Sequence, residues 1–569
     1  MASNGWDQEV DVLVVGSGAG GVIAAITAAD NKADVLLIEK SSEFGGTSAT
    51  SGGGIWIPNS PLVAGNPIAE AMGHSDTEEE AFQYVRALSA PNVPDSLIRS
   101  YIQNAPKMLD WVVKNTPVRY SAQPYPDYHA ELPGGKQGFR THLPEPLDGK
   151  LLGDDILTLR ATSPAASLFN RINWRFDETY TVLFRPKGWL KTLLGMLWRY
   201  VTDIPHRFRS PKDRYLTLGT ALMGGLRLAL NQRRVPLWLN TPMVRLIEEN
   251  GKVVGVEARR EGKTVRIAAR RGVVLAAGGF ERNSELRKRH LPGDSDPTVS
   301  GSQVNNTGDA ILAAADIGAE LRNMQSSWAA PVFRVPGEER ARLCTIERAL
   351  PGCIMVNQAG KRYLNEAASY HIVGQQMVRA NAPGAGTQPS WMIFDHTYRH
   401  KYPMGPVMPL IPDFLQAPAV QKILHKGSTI EELARKINVP AEALAATVRT
   451  FNEGARRGED PEFQRGAAAY DRMYGDARVT PNPTLAPLDK APFYAVPIYA
   501  GDIGTNGGVA TDEYGRALSE TGTPITGLYV VGNNAASVMG ESYPGAGSTL
   551  GPSMTFGYVA ARHITGAND

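Results

Sequence analysis

The stretch DVLVVGSGAGGVIAAITAADNKADVLLIEK, residues 11–40, constrains this chain more than any other. It opens on a continuous apolar run, which a parallel strand buried on both faces requires. Gly16, Gly18 and Gly21 then take the G-x-G-x-x-G spacing, with Ser17, Ala19 and Gly20 between them, where an alanine-rich helix begins. Backbone without side chains can approach a pyrophosphate at such a turn, and the helix N-terminus faces its charge. A second apolar strand ends on Glu39, just before Lys40, where a carboxylate holds ribose hydroxyls. Together these features predict an α/β chain with a Rossmann-type dinucleotide-binding domain.

Further glycine turns follow. FGGTSATSGGGIWIP (44–58) contributes Gly45, Gly46, Thr47, Ser48, Ser51, Gly52 and Gly53. RRGVVLAAGGFERN (270–283) reads as a strand ending at Ala277 and Gly278, after an antiparallel excursion that contains Val244. TGLYVVGNNAAS (526–537) is another buried strand, running into Gly532 and Asn533. A nicotinamide dehydrogenase needs only the first motif; several turns converging on one extended cofactor fit FAD better. At 569 residues the chain has room for two or three domains. Its two cysteines, Cys344 and Cys353, are too few for a disulfide framework and lack metal-ligand spacing. MASNGWDQEVDVLVV shows no basic segment followed by an apolar one, so a cytoplasmic protein is expected.

The set VVGSGAGG, IEK, GGTSATSGGG, VVLAAGGF, GLYVVGN and YPGAGSTLG resembles the flavoproteins of the fumarate reductase and ketosteroid dehydrogenase group, outside residues 180–235. The Tyr-Pro-Gly-X-Gly motif at 543–547 resembles 3-ketosteroid Δ1-dehydrogenases. This resemblance implies a discontinuous FAD-binding domain over 1–290 and 491–569, with an inserted α+β catalytic domain over 291–490. It implies non-covalent FAD, because 44–58 lacks the histidine of covalently flavinylated relatives. Asn306, Asp309, Asn506, Gly507, Ser548 and Leu550 are expected around that cofactor, although Asp309 also reads as a helix cap. Reoxidation by a quinone or another acceptor leaves no signature in the chain.

The reaction implied is loss of a C2 proton and a C1 hydride from a 3-ketosteroid. Its ketone oxygen needs hydrogen-bond donors. Tyr543 offers a phenol and Gly547 a main-chain N–H at the start of a helix predicted over 548–563, with glycine letting a flat ring lie against the amide. By the family's N-E-x-x-x-Y arrangement Tyr370 is the proton acceptor, with Asn365 and Glu366 in support. A phenol is a poor base near neutrality unless a donor stabilises the phenolate. A second tyrosine is therefore expected, and of Tyr125 and Tyr128 the family pattern favours Tyr125.

Residues 185–234 carry eleven Lys/Arg against two Asp, a net +9 in a chain whose total is +2. Leu190, Leu193, Leu194, Leu197 and Val201 recur at helical spacing beside Trp189 and Trp198, and a second apolar piece spans 220–230. The run is too short and charged to span a bilayer but fits an interfacial anchor on an anionic membrane. The resemblance likens the insertion to enzymes acting on cholest-4-en-3-one. No nucleic-acid module accompanies the charge. The apolar, proline-rich 403–420 is expected as a lid or channel wall. The competing readings are steroid Δ4-(5α)-dehydrogenation, dicarboxylate reduction, and a sterol-binding flavoprotein without turnover.

Overall fold

The computed structural model describes residues 5–567; the outermost residues of the two expected flavin-domain segments lie outside the described residues. The opening stretch folds as its pattern predicts, into strand Gln8–Val15, helix Ala19–Asp30 and strand Val35–Ile38. Val12, Leu13 and Val14 are fully buried because both faces of the sheet are covered. Gln8–Val15 lies parallel between Val35–Ile38 and Lys263–Leu275, and Pro524–Val530 adds in parallel beyond the latter. Met243–Glu249, Lys252–Arg260 and Lys263–Leu275 form the antiparallel excursion, completing an eight-stranded mixed sheet.

Helix Leu550–Thr565 closes this layer by crossing Ala19–Asp30 at a glycine on each helix. A Cβ on Gly557 would stand 2.3 Å from the Gly20 carbonyl oxygen, and one on Gly20 2.4 Å from Ser553 Oγ. Asn31 Nδ2 donates to Thr565 Oγ1 at 2.9 Å across the same pair.

The second unit is a six-stranded antiparallel sheet built on Ser327–Phe333, Phe493–Thr505, Ser390–Phe394 and Cys353–Val356. Phe493–Thr505, expected in the flavin domain, lies inside this sheet. The expected division at 490 therefore falls just before a strand that pairs with the inserted unit. The segment 501–515 does not close on itself as a hairpin; Gly508–Val509 pairs with Leu321–Arg322.

The basic insertion divides in two. Helix Leu218–Gln232 packs in the core, with Leu222, Met223 and Leu226 fully buried beside helices Ala19–Asp30 and Gly46–Thr50. The expectation that 220–230 forms part of an anchor is corrected: small residues at 219, 221, 224 and 225 let that helix sit close. Helix Trp189–Val201 is amphipathic. Leu193 and Leu197 pack with Leu168, Ile172, Trp174 and Met196, while Leu190, Leu194, Trp198 and Val201 face outward, extended by Ile204 and Phe208. Trp198 is 72% exposed and Phe208 89%. The charge excess is largely cancelled locally. Arg199 pairs with Glu178, Arg207 and Arg214 with Asp203, Arg209 with Asp154, Lys212 with Glu43, Arg227 with Asp155 and Arg233 with Asp30.

No described helix is long and apolar enough to cross a membrane. The segment 403–420 does not line the central cavity. Arg399 donates to the Met408 and Ile411 carbonyls, and the loop leaves Leu410, Phe414 and Leu415 exposed.

Candidate active site

Strand Ile55–Trp56 runs beneath the 543–551 turn. Trp56 N–H donates to the Gly547 carbonyl at 3.2 Å, and Thr141 Oγ1 to that of Ala546 at 3.0 Å. The Pro544 carbonyl accepts from Tyr84 Oη at 2.6 Å and Tyr128 N at 2.9 Å. Gly547 has φ +100°, and a Cβ there would stand 2.4 Å from the Ile55 carbonyl carbon. Glycine is thus demanded by the strand behind the turn. The helix begins at Leu550 rather than 548, because Ser548 is held in the turn by hydrogen bonds with Gly545.

This turn aims Tyr543 inward. Its hydroxyl accepts from Thr549 Oγ1 at 3.2 Å. Burial pushes the phenol up, and hydrogen bonds from Thr549, Tyr370 and the Gly547 amide pull it back. Tyr543 and Gly547 both line the cavity described below.

Tyr370 opens helix Tyr370–Arg379, whose N-cap Ser369 accepts from Ile372 N at 3.4 Å. The loop before it is fixed from behind. Buried Glu366 pairs with Arg362 at 2.8 Å and Arg465 at 3.3 Å, and Asn365 Nδ2 donates to Asp471 at 2.9 Å. The Tyr370 ring lies 5.5 Å from that of Tyr543 and 5.8 Å from that of Tyr128. Burial raises the Tyr370 phenol well above its ordinary value, while a hydrogen bond from Tyr128 opposes this.

Tyr128, not Tyr125, is the partner of Tyr370, which corrects the expectation. Its ring stacks on Tyr543 at 5.4 Å, while the Tyr125 hydroxyl turns away to that of Tyr474 at 2.6 Å. The three-residue spacing exchanges the two, because the chain bends between them to return through Asp127, which accepts from Trp56 Nε1 and Arg140. Tyr470, 4.7 Å from Tyr128, and Tyr474 complete a cluster of six tyrosines. Sequence reasoning missed both, although AYDRMY spaces them four apart on one face of a short helix.

A cavity of about 430 Å³ runs from the tyrosines to the nucleotide turn. Gly16, Ser17, Gly18, Ala19, Gly20, Glu39 and Lys40 line it, with Gly46, Thr47, Ser48, Ser51, Gly52 and Gly53. So do Ala277, Gly278, Asn306, Asp309, Gly532, Asn533 and Leu550, along with Tyr125, Tyr370, Tyr543 and Gly547. Gly21, Gly45, Val244, Asn506, Gly507 and Ser548 do not. Gly21 packs on the Gly16 carbonyl and Gly45 on Ala49. Asn506 donates to the Gly540 carbonyl at 3.2 Å and Gly507 packs on Asn323, so both brace the approach to the tyrosine turn. Val244 is 48% exposed; the ladder slips there, and Met243 faces the cavity instead.

The lining fits an extended dinucleotide. No side chain caps the Gly18 end of helix Ala19–Asp30, although Ser48 Oγ accepts from Ala19 N at 3.1 Å. Glu39 accepts from Ser17 N at 3.0 Å, Ser17 Oγ at 2.7 Å and Ser41 N at 2.9 Å, which orients its carboxylate. Asp309 lines the cavity and pairs with Lys40 at 2.5 Å, but it is not the cap: Gly308 holds the N-cap position of helix Asp309–Ala315, without a side-chain cap.

The FAD binding domain family model matches residues 11–550. The chain is 39% identical to the 3-oxosteroid 1-dehydrogenase of Mycobacterium tuberculosis, covering 98% of each. It is 38% identical to the 4-oxocyclohex-2-ene-1-carboxylate 5-dehydrogenase of Sinomonas cyclohexanicum, over 97% of this chain and 93% of the relative. Among solved structures it matches the 3-ketosteroid Δ1-dehydrogenase of Sterolibacterium denitrificans in complex with 1,4-androstadiene-3,17-dione. That match has TM-score 0.93 and 43% identity, over 99% of this chain and all of the other.

Proposed function

Since the chain belongs to the family of FAD-dependent 3-oxosteroid 1-dehydrogenases, we propose a division of labour in which Tyr370 takes the C2 proton of a 3-ketosteroid while Tyr543 and Gly547 grip its C3 oxygen. FAD is the cofactor and supplies the hydride acceptor at N5 for the C1 hydrogen. The Tyr543 O–H and Gly547 N–H donate to the ketone, and they serve best as charge builds on oxygen when C2 loses its proton. Tyr128 donates to the Tyr370 oxygen and stabilises its phenolate. The observation that carries this reading is one cavity lined by Tyr543, Gly547 and Tyr370, with the Tyr370 and Tyr543 rings 5.5 Å apart. The absence of histidine and cysteine from the described lining supports non-covalent attachment of FAD.

The substrate class follows from charge. A carboxylate substrate, as the name of the Sinomonas relative implies, needs a cation in the site. Lys40 is the only cation among the described lining residues, and Thr307 and Asp309 hold it. A neutral steroid ketone fits such a site, and a dicarboxylate does not.

The reading extends to a sterol-derived ketone such as cholest-4-en-3-one, taken from a membrane surface. Phe176 lines the cavity, is 41% exposed, and opens helix Phe176–Phe184, which packs on the outward-facing helix Trp189–Val201. The apolar row thus stands beside one edge of the cavity, where a sterol could pass from lipid to site.

Anaerobic mixing with androst-4-ene-3,17-dione tests the chemistry. Stoichiometric flavin bleaching with a 1,4-diene product is expected. A product unsaturated elsewhere, or binding without bleaching, overturns the assignment.

A further inference from the structure

The grip on the C3 oxygen needs the Tyr543 proton to point at the ketone, yet a phenol proton can lie on either side of its oxygen in the ring plane. The ring itself has little freedom. Tyr128 stacks on it at 5.4 Å, and Trp328, Tyr370 and His371 stand around it at 5.0, 5.5 and 5.8 Å. What remains to be set is the hydroxyl torsion. Thr549, which lines the same cavity, donates Oγ1–H to the Tyr543 oxygen at 3.2 Å.

That use of Thr549 is out of keeping with its position. It is the N-cap residue of helix Leu550–Thr565, where a threonine hydroxyl ordinarily accepts from a backbone N–H two or three residues on. Here it makes no such bond, and its φ of −95° and ψ of −52° are helical rather than extended. The turn leading into the helix is held without it. Ser548 Oγ accepts from Gly545 N at 3.1 Å and donates to the Gly545 carbonyl at 2.7 Å, and Gly551 N donates to the Gly547 carbonyl at 2.9 Å. A hydroxyl withdrawn from its own helix and turned on a phenol of the site is serving the phenol. Thr549 also borders a second cavity of about 30 Å³, together with Asn533, Ser537 and Ser553. A volume of that size holds a water, so Thr549 has room to accept a hydrogen bond while it gives its own proton to Tyr543.

We infer that Thr549 is a positioning residue for the desaturation: by donating to the Tyr543 oxygen it fills one side of that oxygen and leaves the phenol proton facing the C3 ketone. The bond also polarises the phenol, since each donor in a chain strengthens the next, and Tyr543 gives more to the ketone oxygen as charge builds there. Thr549 acts through Tyr543 and neither gains nor loses a proton in turnover.

The inference rests on Tyr543 as the ketone's donor, and the test separates the two. T549V keeps the branched shape and removes the donor, T549S keeps the donor, and Y543F removes the phenol proton. The holoenzymes are compared for flavin content and absorption, Tm, and kcat and KM with androst-4-ene-3,17-dione. Infrared difference spectra then give the carbonyl stretch of bound 1,4-androstadiene-3,17-dione, isotopically labelled at C3. Y543F is expected to shift that stretch to higher frequency; an unshifted stretch in Y543F sinks the donor assignment itself. If that assignment stands, T549V is expected to lower kcat by the worth of one ordinary hydrogen bond, about three- to tenfold, with KM little changed. Its carbonyl stretch should move part of the way toward that of Y543F, while T549S stays near wild type in both. Tm and flavin content should hold in T549V, since no cap bond is lost. Wild-type kcat and carbonyl stretch in T549V would overturn the inference. So would an equal loss in T549S with a fall in Tm, the mark of a helix cap, or an altered flavin spectrum with an unmoved carbonyl stretch, the mark of a cofactor contact. T549A, which removes the donor without adding bulk, takes the place of T549V should that variant fail to fold.

Discussion

Gly547 shows how one residue serves packing and chemistry at once. Its positive φ and the strand behind it leave no place for a Cβ, and the same pose turns its N–H toward the Tyr543 hydroxyl. Gly547→Ala must therefore push the turn off Ile55–Trp56. Losing one such donor typically costs about 10²–10³ in kcat, so a fall of that order is expected, together with a lower Tm of the flavin-loaded protein. A variant with kcat within twofold of wild type would show that the amide is not used. The sequence marked this glycine and Tyr543 through their glycine-rich motif, and Tyr370 only through its resemblance to the family's N-E-x-x-x-Y arrangement. It could not separate Tyr128 from Tyr125, since both are buried phenols three residues apart and only the path of the chain through Asp127 decides which meets Tyr370.

Helix Trp189–Val201 carries the next prediction. With seven of the basic side chains of 185–234 held in ion pairs, attachment to lipid must rest mainly on the apolar row. Fully burying a large apolar side chain contributes roughly 1.5–3 kcal/mol, so Leu190, Leu194, Trp198 and Phe208 together suffice for reversible docking. Co-sedimentation with phosphatidylcholine vesicles is expected to persist in high salt, and L194D/W198E to abolish it while kcat on androst-4-ene-3,17-dione is retained. Loss of binding in salt would return the weight to charge. The helical period of this element was legible in the sequence, but the fate of 220–230 was not. Apolar content alone does not distinguish a helix that covers lipid from one that fills a core; small residues packed closely against neighbouring segments make Leu218–Gln232 the latter.

Across the whole molecule, the strand–glycine–helix–strand start and the scattered glycine turns made the flavin domain readable, because each pattern is local. The six-tyrosine cluster was only partly readable, because it joins residues from 125 to 543. Acid stability is another property of the assembled whole. His142 and His371 are buried, and burial holds each down to about 4; one donates Nδ1–H to the Arg140 carbonyl and the other Nε2–H to that of Glu541. The unfolded chain binds those protons near pH 6.5, so each site contributes up to about 3 kcal/mol above that pH, lost as pH falls toward 4. Asp127, raised by burial to about 6, works in the opposite sense below pH 6, as do the raised carboxyls of Glu281, Glu347 and Asp471, while His74, His129 and His206, also held down by burial, act with the two histidines. Tm is expected to fall steadily from pH 6.5 to 4.5, and H142Q/H371Q to flatten that slope; an unchanged slope would discard the assignment. The crossing of Leu550–Thr565 over Ala19–Asp30 has a consequence for biogenesis. The first half of the nucleotide pocket leaves the ribosome long before its covering helix, so a nascent polypeptide has no complete seat for the flavin until Leu550–Thr565 has emerged.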